Sequence, residues 1–420
     1  MNDDASIHIP RIVAHHVSEA AFLRATRTRL RSAAHVALKD LARHDERIDA
    51  QLDGIAVAGD FGSAMCDEAL EDAGAGEVFT AAAVALTSGD LRRLTRILAL
   101  AKAVPATRRG LLCAFGWVGA AHLEHVVRRL LESDDPFVME CGLAACAMHR
   151  VDPGRNLVPA AHTGGALRCR ALRVAGECHR PDLLRDCIDA YEDDNPACRF
   201  WAARSAAFLG ERVESAKVLM RLAQDTGPMR AHALRLAIQL SDPSRTAALL
   251  EAFSGDAGNV RLLLFGVGVS GDPHYANWLI RQMETTYPAR AAGEALSLIT
   301  GANLVHDHLE GAKPADAAES PGDDTGDDDV SMNDDDDLRW PDPEKVAVWW
   351  KERSGLFRPG TRYFMGNAVT QTQCLTVLAN GYQRQRFLAA DYLRLLLPDS
   401  RLFSVCAPAR RQRRWLVGSR

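Results

Sequence analysis

The sequence lacks a membrane-spanning segment, and it has few aromatic residues. Only 6% of the 420 residues are aromatic, and no uninterrupted apolar stretch approaches the roughly 20 residues that span a bilayer. Residues 1–5 contain neither the basic nor the apolar part of a secretory signal. These absences predict a cytoplasmic protein without membrane insertion. The abundant Leu and Ala favour helices over a strand-rich fold.

The common catalytic motifs are also missing. There is no GxSxG elbow, no GxxxxGK[ST] loop, no HExxH and no CxxC pair. Those spacings hold a nucleophile, a phosphate-binding backbone or a set of zinc ligands in place. Without them we expect a protein that is not an enzyme and that uses no cofactor and no metal.

Two weaker patterns invite a chemical interpretation. Residues Gly266–Gly271 match GxGxxG, which in dinucleotide sites follows a strand, but here the preceding VRLLLF shares its register with helical segments. The glycines are therefore interpreted as close-packing positions of a helix. His306 and His308, and separately His122 and His125, are spaced like metal ligands, yet each pair lacks an evident third ligand.

An internal repeat is the most informative feature. The residues that set its register are arginines spaced 31, 31, 31 and 29 residues apart, namely Arg168, Arg199, Arg230, Arg261 and Arg290. Each opens a segment with helical periodicity, and a second amphipathic stretch separates each pair of segments. Turns containing Pro196, Pro228, Pro243 and Pro273 divide the helices. Two helices per roughly 30 residues predict an all-α fold, an α-solenoid of helical hairpins.

Aspartates occur at a fixed distance from three of these arginines. Asp194, Asp225 and Asp256 each precede the arginine of their repeat by five residues. This spacing resembles the HEAT-repeat signature, and the resemblance implies a structural ladder in which each carboxylate meets a guanidinium. Such pairing would neutralise the arginines within the fold.

Four segments are predicted. An N-terminal helical cap covers 1–76, about six or seven HEAT-like repeats cover 77–301, an acidic disordered loop covers 302–337, and a C-terminal helical cap with a basic tail covers 338–420. Residues 316–337 carry ten Asp and one Glu without Lys or Arg, a net charge of −11. Residues 338–420 carry 15 basic and five acidic residues, a net charge of +10. A final helix is expected at about Gln383–Leu397.

Two terminal blocks carry a more specific resemblance. HVALKDLARHDERIDAQLDGIAVAG near the N-terminus, and RWPDPEKVAVWW with GYQRQRFLAADYLRL near the C-terminus, resemble an uncharacterised bacterial HEAT-repeat family. The genes of that family often lie near type VI secretion loci. The resemblance implies an accessory role in type VI secretion, and it carries over no catalytic residue.

We therefore expect a non-enzymatic scaffold or adaptor whose partner is a protein of unknown identity, such as a secretion effector or component. Candidate aromatic anchors are Phe200, Trp201, Tyr275 and Trp278, although core positions would explain them as well. The alternative function is nucleic-acid binding through the arginine-rich surface, and nucleic acid is the less favoured partner. The candidate partner-binding residues of the basic tail are Arg410, Arg411, Arg413, Arg414 and Trp415.

Overall fold

The computed structural model describes residues 9–315, 317 and 335–418. Within them it confirms the all-α repeat fold, with 22 α-helices and one two-stranded β-hairpin. The first eleven helices are α1 Pro10–Leu30, α2 Leu38–Val57, α3 Gly59–Ala69, α4 Ala75–Ser88, α5 Leu91–Ala103, α6 Arg108–Trp117, α7 Glu124–Leu131, α8 Pro136–His149, α9 Leu157–Ala161, α10 Gly165–Glu177 and α11 Leu184–Asp189.

The remaining helices are α12 Pro196–Phe208, α13 Val213–Gln224, α14 Arg230–Leu240, α15 Pro243–Ser254, α16 Val260–Ser270, α17 Ala276–Gln282, α18 Thr286–Thr300, α19 Pro343–Arg353, α20 Gln371–Asn380, α21 Gln383–Leu396 and α22 Ala409–Gly418. Strands β1 Tyr363–Phe364 and β2 Asn367–Ala368 pair antiparallel. None of the described helices combines the length and apolar composition needed to cross a membrane.

The helical hairpins follow the sequence repeat. The even-numbered helices from α10 to α18 contain the five register arginines, and the odd-numbered helices between them supply the second amphipathic stretch of each repeat. Two of the predicted turns begin helices. The side chain of Asn195 accepts a backbone N–H bond at the start of α12, and Asp242 does the same at the start of α15. Pro196 and Pro243 occupy the first positions of these helices. Proline fits there because the first helical N–H has no partner within the helix.

Contacts divide the chain into two compact units. Unit 1 is formed by the described residues of Met1–Ser32, Val36–Asp189 and Arg401–Arg420. In its core α1 packs against α2 and α4, and α4, α6, α8 and α10 pack in succession. The fully buried side chains of Phe79, Leu111 and Phe115 lie at the centre. The C-terminal helix α22 packs on α2.

Unit 2 is formed by Ala33–His35 and the described residues of Ala190–Ser400. It contains the hairpins from α12 to α18, followed by α19, the β-hairpin, α20 and α21. The β-hairpin is fixed by backbone bonds: Tyr363 N–H donates to Gly271 O at 2.8 Å and Met365 N–H donates to Leu298 O at 2.7 Å. These bonds place β1 beside the C-terminal ends of α16 and α18.

The boundaries of the units differ from those of the four predicted segments, which remain a prediction. The C-terminal quarter is shared, since residues up to Ser400 belong to unit 2 and those from Arg401 onward to unit 1. Half of the predicted acidic disordered loop, residues 316 and 318–334, lies outside the described residues.

Candidate functional site

The described contacts of the repeat arginines Arg199, Arg230 and Arg261 are with groups other than the carboxylates of the aspartates five residues before them. Arg199 Nη1 donates to the backbone carbonyl of Asp193 at 2.7 Å, and Arg230 Nε donates to Ala223 O at 3.0 Å. Among the described residues, no ion pair joins Asp194 to Arg199, Asp225 to Arg230 or Asp256 to Arg261.

Helix ends explain part of this arrangement. The last carbonyls of a helix have no partner within it, and Arg230 binds such a carbonyl at Ala223, near the end of α13. Arg199 binds carbonyls of the turn that follows α11. The Asp256 carboxylate accepts a bond from Gly258 N–H at 2.9 Å and so caps the turn before α16. In unit 1, Arg108 Nε likewise donates to Ala101 O, near the end of α5, at 3.1 Å. Arg168 lies half-buried in α10.

The last two repeat arginines pair with the end of the acidic segment. Arg261 Nη2 donates to Asp335 Oδ1 at 2.7 Å, and Arg261 Nε is 3.0 Å from the same oxygen. Arg290 Nη2 lies 3.4 Å from Asp336 Oδ1. These carboxylates follow Arg261 and Arg290 by 74 and 46 residues, so a fixed five-residue spacing could not reveal them.

A buried charge cluster holds α21 against the repeat helices. The carboxylate of Asp391, a residue that is 3% exposed, lies 2.9 Å from Arg235 of α14 and 3.8 Å from Arg204 of α12. Arg394 Nη2 donates to Phe208 O at the end of α12 at 3.1 Å. Tyr392 donates its hydroxyl to Val269 O of α16 at 3.2 Å. Burial raises the pKa of Tyr392 to about 12, so the phenol remains a donor at neutral pH.

These contacts cover the C-terminal ends of α12, α14 and α16. Sequence periodicity predicted α21 closely, but it did not predict this location. The only available signal was the charge pattern of LAADYLRLLL, in which Asp391 and Arg394 interrupt an otherwise apolar stretch. A buried charge that has lost its water requires partners, and here they come from other repeats.

A groove remains open on another face of unit 2, between α15 and α17. It encloses about 710 Å³, a volume within the range of small-molecule and peptide pockets. Its apolar floor includes Leu263 and Val267 of α16, and Tyr275 and Trp278 line it beside α17. The complete lining is Ala247, Leu250, Glu251, Ser254, Leu263, Val267, His274, Tyr275, Asn277, Trp278 and Arg281.

Charges of opposite sign lie on the two helices that border the groove. Glu251 is an exposed residue of α15, and Arg281 is an exposed residue of α17. Tyr275 is partly buried, and that burial, with the nearby Asp272 carboxylate, raises its pKa. Of the four aromatic anchors considered from the sequence, Tyr275 and Trp278 line the groove, whereas Phe200 is only 1% exposed.

The GxGxxG segment forms the helix α16 and not a strand followed by a turn. A Cβ on Gly266 would lie 2.7 Å from Leu250 Cδ2, and a Cβ on Gly268 would lie 2.9 Å from Ala295 Cα. Both glycines therefore permit close packing with neighbouring helices. Gly271 ends α16 with a φ of 67°, in the left-handed region that glycine adopts without strain. The dinucleotide interpretation therefore has no structural basis.

The histidine patterns do not assemble a metal site in the described residues. The exposed His306 side chain lies 3.4 Å from the neighbouring Asp307 carboxylate. No group of three or more His, Cys, Asp or Glu side chains within residues 9–315, 317 and 335–418 is arranged to hold a metal ion.

The C-terminal basic cluster divides into bound and exposed side chains. Arg410 pairs with Asp49 at 2.6 Å and donates to Trp117 O at 2.7 Å. Arg411 donates to Gly116 O at 3.0 Å and to Met148 O at 3.1 Å. Burial lowers the pKa of Arg411 to about 10. These two arginines thus bind α22 to the helices α2, α6 and α8 of the same unit.

The other members of the cluster have different surroundings. Arg413 lies 3.7 Å from the exposed Glu46 carboxylate, Arg414 is exposed, and Trp415 contacts Phe403 with ring centroids 4.8 Å apart. Partner binding by these residues remains a prediction.

The alternating helical hairpins define an α-helical repeat protein. A family model described as HEAT repeats matches residues 156–239 of the chain, which is 84 of its 420 residues. The match supports assignment of the central repeats to the HEAT type. No curated protein and no solved structure matched the chain.

Proposed function

We propose that this protein is a non-enzymatic scaffold that docks a protein partner in the groove between α15 and α17. The open groove, with its two aromatic side chains on an apolar floor, is the observation that carries the proposal. HEAT-type repeats commonly present helical surfaces to other proteins. Trp, Tyr and Arg are also the residues that most often dominate binding energy at interfaces.

The groove favours a short helix or peptide with an apolar anchor. Two helices that border an apolar floor form the geometry that receives an amphipathic helix. Glu251 on one border and Arg281 on the other would orient the ligand, because its basic side chains favour α15 and its acidic side chains favour α17. The face crossed by α21 is occupied by the chain itself, through the contacts of Asp391, Tyr392 and Arg394.

The proposed partner is an effector or a component of a type VI secretion system. The resemblance of the two terminal blocks to the secretion-associated bacterial family supports this partner. A nucleic acid is less favoured, because Arg261 and Arg290 pair with carboxylates and Arg410 and Arg411 bind protein groups.

The test compares the groove with an equally aromatic surface outside it. Tagged wild-type chain, the Tyr275→Ala/Trp278→Ala variant and the control Tyr287→Ala are used to capture partners from cells with nuclease treatment. Tyr287 is 63% exposed and does not line the groove. We expect wild type and the control to retain the same secretion protein, and the double variant to lose at least about 90% of it.

Equal retention by all three proteins would exclude the groove as the docking site. Recovery of a partner unrelated to secretion, still lost with the double variant, would keep the groove and reject the secretion assignment. Recovery that disappears on nuclease treatment would favour the nucleic-acid alternative.

A further inference from the structure

A second surface of unit 2, at Arg261 and Arg290, binds an acidic segment of the chain itself, residues 335–340. Arg261 of α16 donates two hydrogen bonds to the Asp335 carboxylate, from Nη2 to Oδ1 at 2.7 Å and from Nε to Oδ2 at 3.1 Å. Two parallel N–H bonds to one carboxylate form the strongest and most directional pair available to arginine. Asp335 is only 4% exposed, so this carboxylate is seated in the surface.

The neighbouring repeat arginine binds the next acidic residue and an aromatic ring. Arg290 Nη2 lies 3.4 Å from the Asp336 carboxylate, and the guanidinium carbon lies 4.8 Å from the centre of the Trp340 ring. Arginine attracts a carboxylate in the plane of its guanidinium and an aromatic ring on its face. Two consecutive repeats therefore recognise a short pattern: two adjacent acids followed four residues later by an aromatic residue.

The segment after Trp340 is anchored independently of these arginines. Gly311 N–H donates to Trp340 O at 2.9 Å, and Asp342 N–H donates to Leu309 O at 2.8 Å. The Asp342 side chain accepts bonds from Glu344 and Lys345 N–H, both at 3.1 Å, at the start of α19. The acidic side chains could therefore leave the arginines while the chain after them keeps its own attachments.

The surface also remains accessible. The Arg261 side chain is 36% exposed although its carboxylate partner is buried. A peptide approaching from solvent can thus reach the guanidinium while Asp335 is still bound, which allows stepwise replacement.

We propose that Arg261 and Arg290 form an acceptor site for acidic peptides, and that residues 335–340 are its resident ligand. A partner protein binds there by presenting two adjacent acidic side chains and a nearby aromatic residue in place of Asp335, Asp336 and Trp340. None of these residues lines the groove between α15 and α17, so this inference does not depend on the proposed function.

A carboxylate ligand fits this surface better than a nucleic-acid backbone. The partly buried Glu294 carboxylate pairs with Arg384 at 2.9 Å, and Arg261 and Asp335 both influence its pKa, which desolvation raises. An acid beside the site opposes the dense negative charge of successive phosphates. It tolerates the single carboxylate that the chain itself places on Arg261.

The experiment uses the full chain and a fluorescent peptide, Asp-Asp-Asp-Leu-Arg-Trp-Pro, read by anisotropy. Wild type is compared with the vacated variant Asp335→Asn/Asp336→Asn/Trp340→Ala and with the same variant carrying Arg261→Gln/Arg290→Gln. The control Asp53→Asn/Asp60→Asn removes two exposed acids of unit 1 and leaves the site unchanged. We expect the vacated variant to bind the peptide at least about tenfold more tightly than wild type.

The added arginine substitutions should return the affinity to the wild-type level or below, and the control should match wild type. Equal affinity of wild type and the vacated variant, or undiminished binding after the arginine substitutions, would overturn the proposal. Displacement of the peptide by a single-stranded oligonucleotide at lower concentration than by unlabelled peptide would also overturn it, in favour of a nucleic-acid site.

Circular dichroism checks that each variant folds. If the glutamine variant does not fold, Arg261→Lys/Arg290→Lys in the vacated background takes its place, because lysine keeps the charge and loses the two-pronged geometry. An affinity that the lysine variant leaves unchanged contradicts arginine-specific recognition.

Discussion

Two faces of unit 2 use its repeat helices in opposite ways. On one face α21 crosses the ends of α12, α14 and α16, and buried charges hold it in place. On the other face the helices α15 and α17 leave an open, aromatic-lined groove. The comparison indicates that a charged residue in a repeat protein can have a structural role on a covered face and a recognition role on an open one. We expect exposure, and not residue type, to separate the two roles.

On the covered face, buried charges fix the position of the helix that covers it, α21. A buried ion pair gains little over apolar packing, but it strongly penalises any arrangement that leaves one charge alone. Asp391 therefore favours one position of α21, the position in which both Arg204 and Arg235 are within reach. Within the part of the chain that the structure describes, Arg281 of the open groove has no such carboxylate partner, so a ligand can supply one.

The largest predicted effect comes from breaking the covered face. Asp391→Ala leaves Arg204 and Arg235 buried without their carboxylate, and we expect it to lower the free energy of unfolding by about 3–5 kcal/mol. Urea denaturation followed by circular dichroism measures this change. The control Asp53→Ala, at an exposed position of α2, should change the free energy by less than about 0.5 kcal/mol. Similar losses in the two variants would show that the buried cluster does not hold α21.

A smaller loss of stability is expected when a glycine of α16 is replaced by alanine; α16 is the helix that contributes to both faces. In Gly268→Ala the added Cβ would lie 2.9 Å from Ala295 Cα, so α16 and α18 must move apart, at a cost of about 1–3 kcal/mol. Gly255→Ala is the matched control, because its Cβ would meet nothing within 4 Å and its φ is −84°. We expect that control to be neutral or to stabilise the protein by up to about 1 kcal/mol. A control that destabilises as much as Gly268→Ala would contradict the packing explanation.

A largely buried histidine of unit 1, His149, leads to a prediction for the pH dependence of stability. Burial first, and the Arg411 guanidinium second, lower the pKa of His149 to about 4, against an ordinary value of 6.5. The unfolded chain therefore takes up a proton near pH 6.5 that the folded chain resists until about pH 4. Stability from this residue is complete above pH 6.5 and is lost as the pH falls from 6.5 to 4.

The measurement is the free energy of unfolding at pH 7 and pH 4.5 for wild type and His149→Gln. Wild type should lose about 1–2 kcal/mol more than the variant between the two values, with allowance for the partial exposure of the ring. An identical pH dependence of the two proteins would place His149 in a more hydrated setting than the structure does.

The smallest effect on stability, and a large one on binding, is expected in the groove. Arg281→Glu reverses an exposed charge and should change the free energy of unfolding by no more than about 0.5 kcal/mol. Partner retention should nevertheless fall, because the ligand's acidic side chains would then meet a glutamate. Thermal melts measure the first quantity and quantitative co-purification the second. Unchanged retention would remove Arg281 from the recognition surface.

Local sequence patterns predict the repeats, because the residues that define a helical hairpin lie close together in the sequence and recur at a fixed spacing. The arginine spacing and the Asn195–Pro196 and Asp242–Pro243 turns lie within single hairpins, and α21 ends at Leu396, one residue before its predicted end. The lining residues Tyr275 and Trp278 were considered as anchors because their residue types are typical of interfaces.

Long-range partners could not be predicted in the same way. Asp391 pairs with Arg204 and Arg235, which precede it by more than 150 residues. Asp335 pairs with Arg261, which precedes it by 74 residues. The sequence predicts that Asp256 pairs with Arg261, five residues later, but the Asp256 carboxylate accepts a bond from Gly258 N–H of its own turn at 2.9 Å. Local hydrogen bonding thus competed with the predicted ladder.

Site-specific photo-crosslinking in the native cell tests the central claim most directly. A photoreactive residue is placed at Asn277, which is exposed in the groove, and separately at Lys217, which is exposed on α13. We predict one dominant protein adduct from position 277 that position 217 does not give, and that Tyr275→Ala/Trp278→Ala abolishes. The same adducts from both positions, or none from position 277 while partners are still captured, would contradict the assignment of the groove as the docking site.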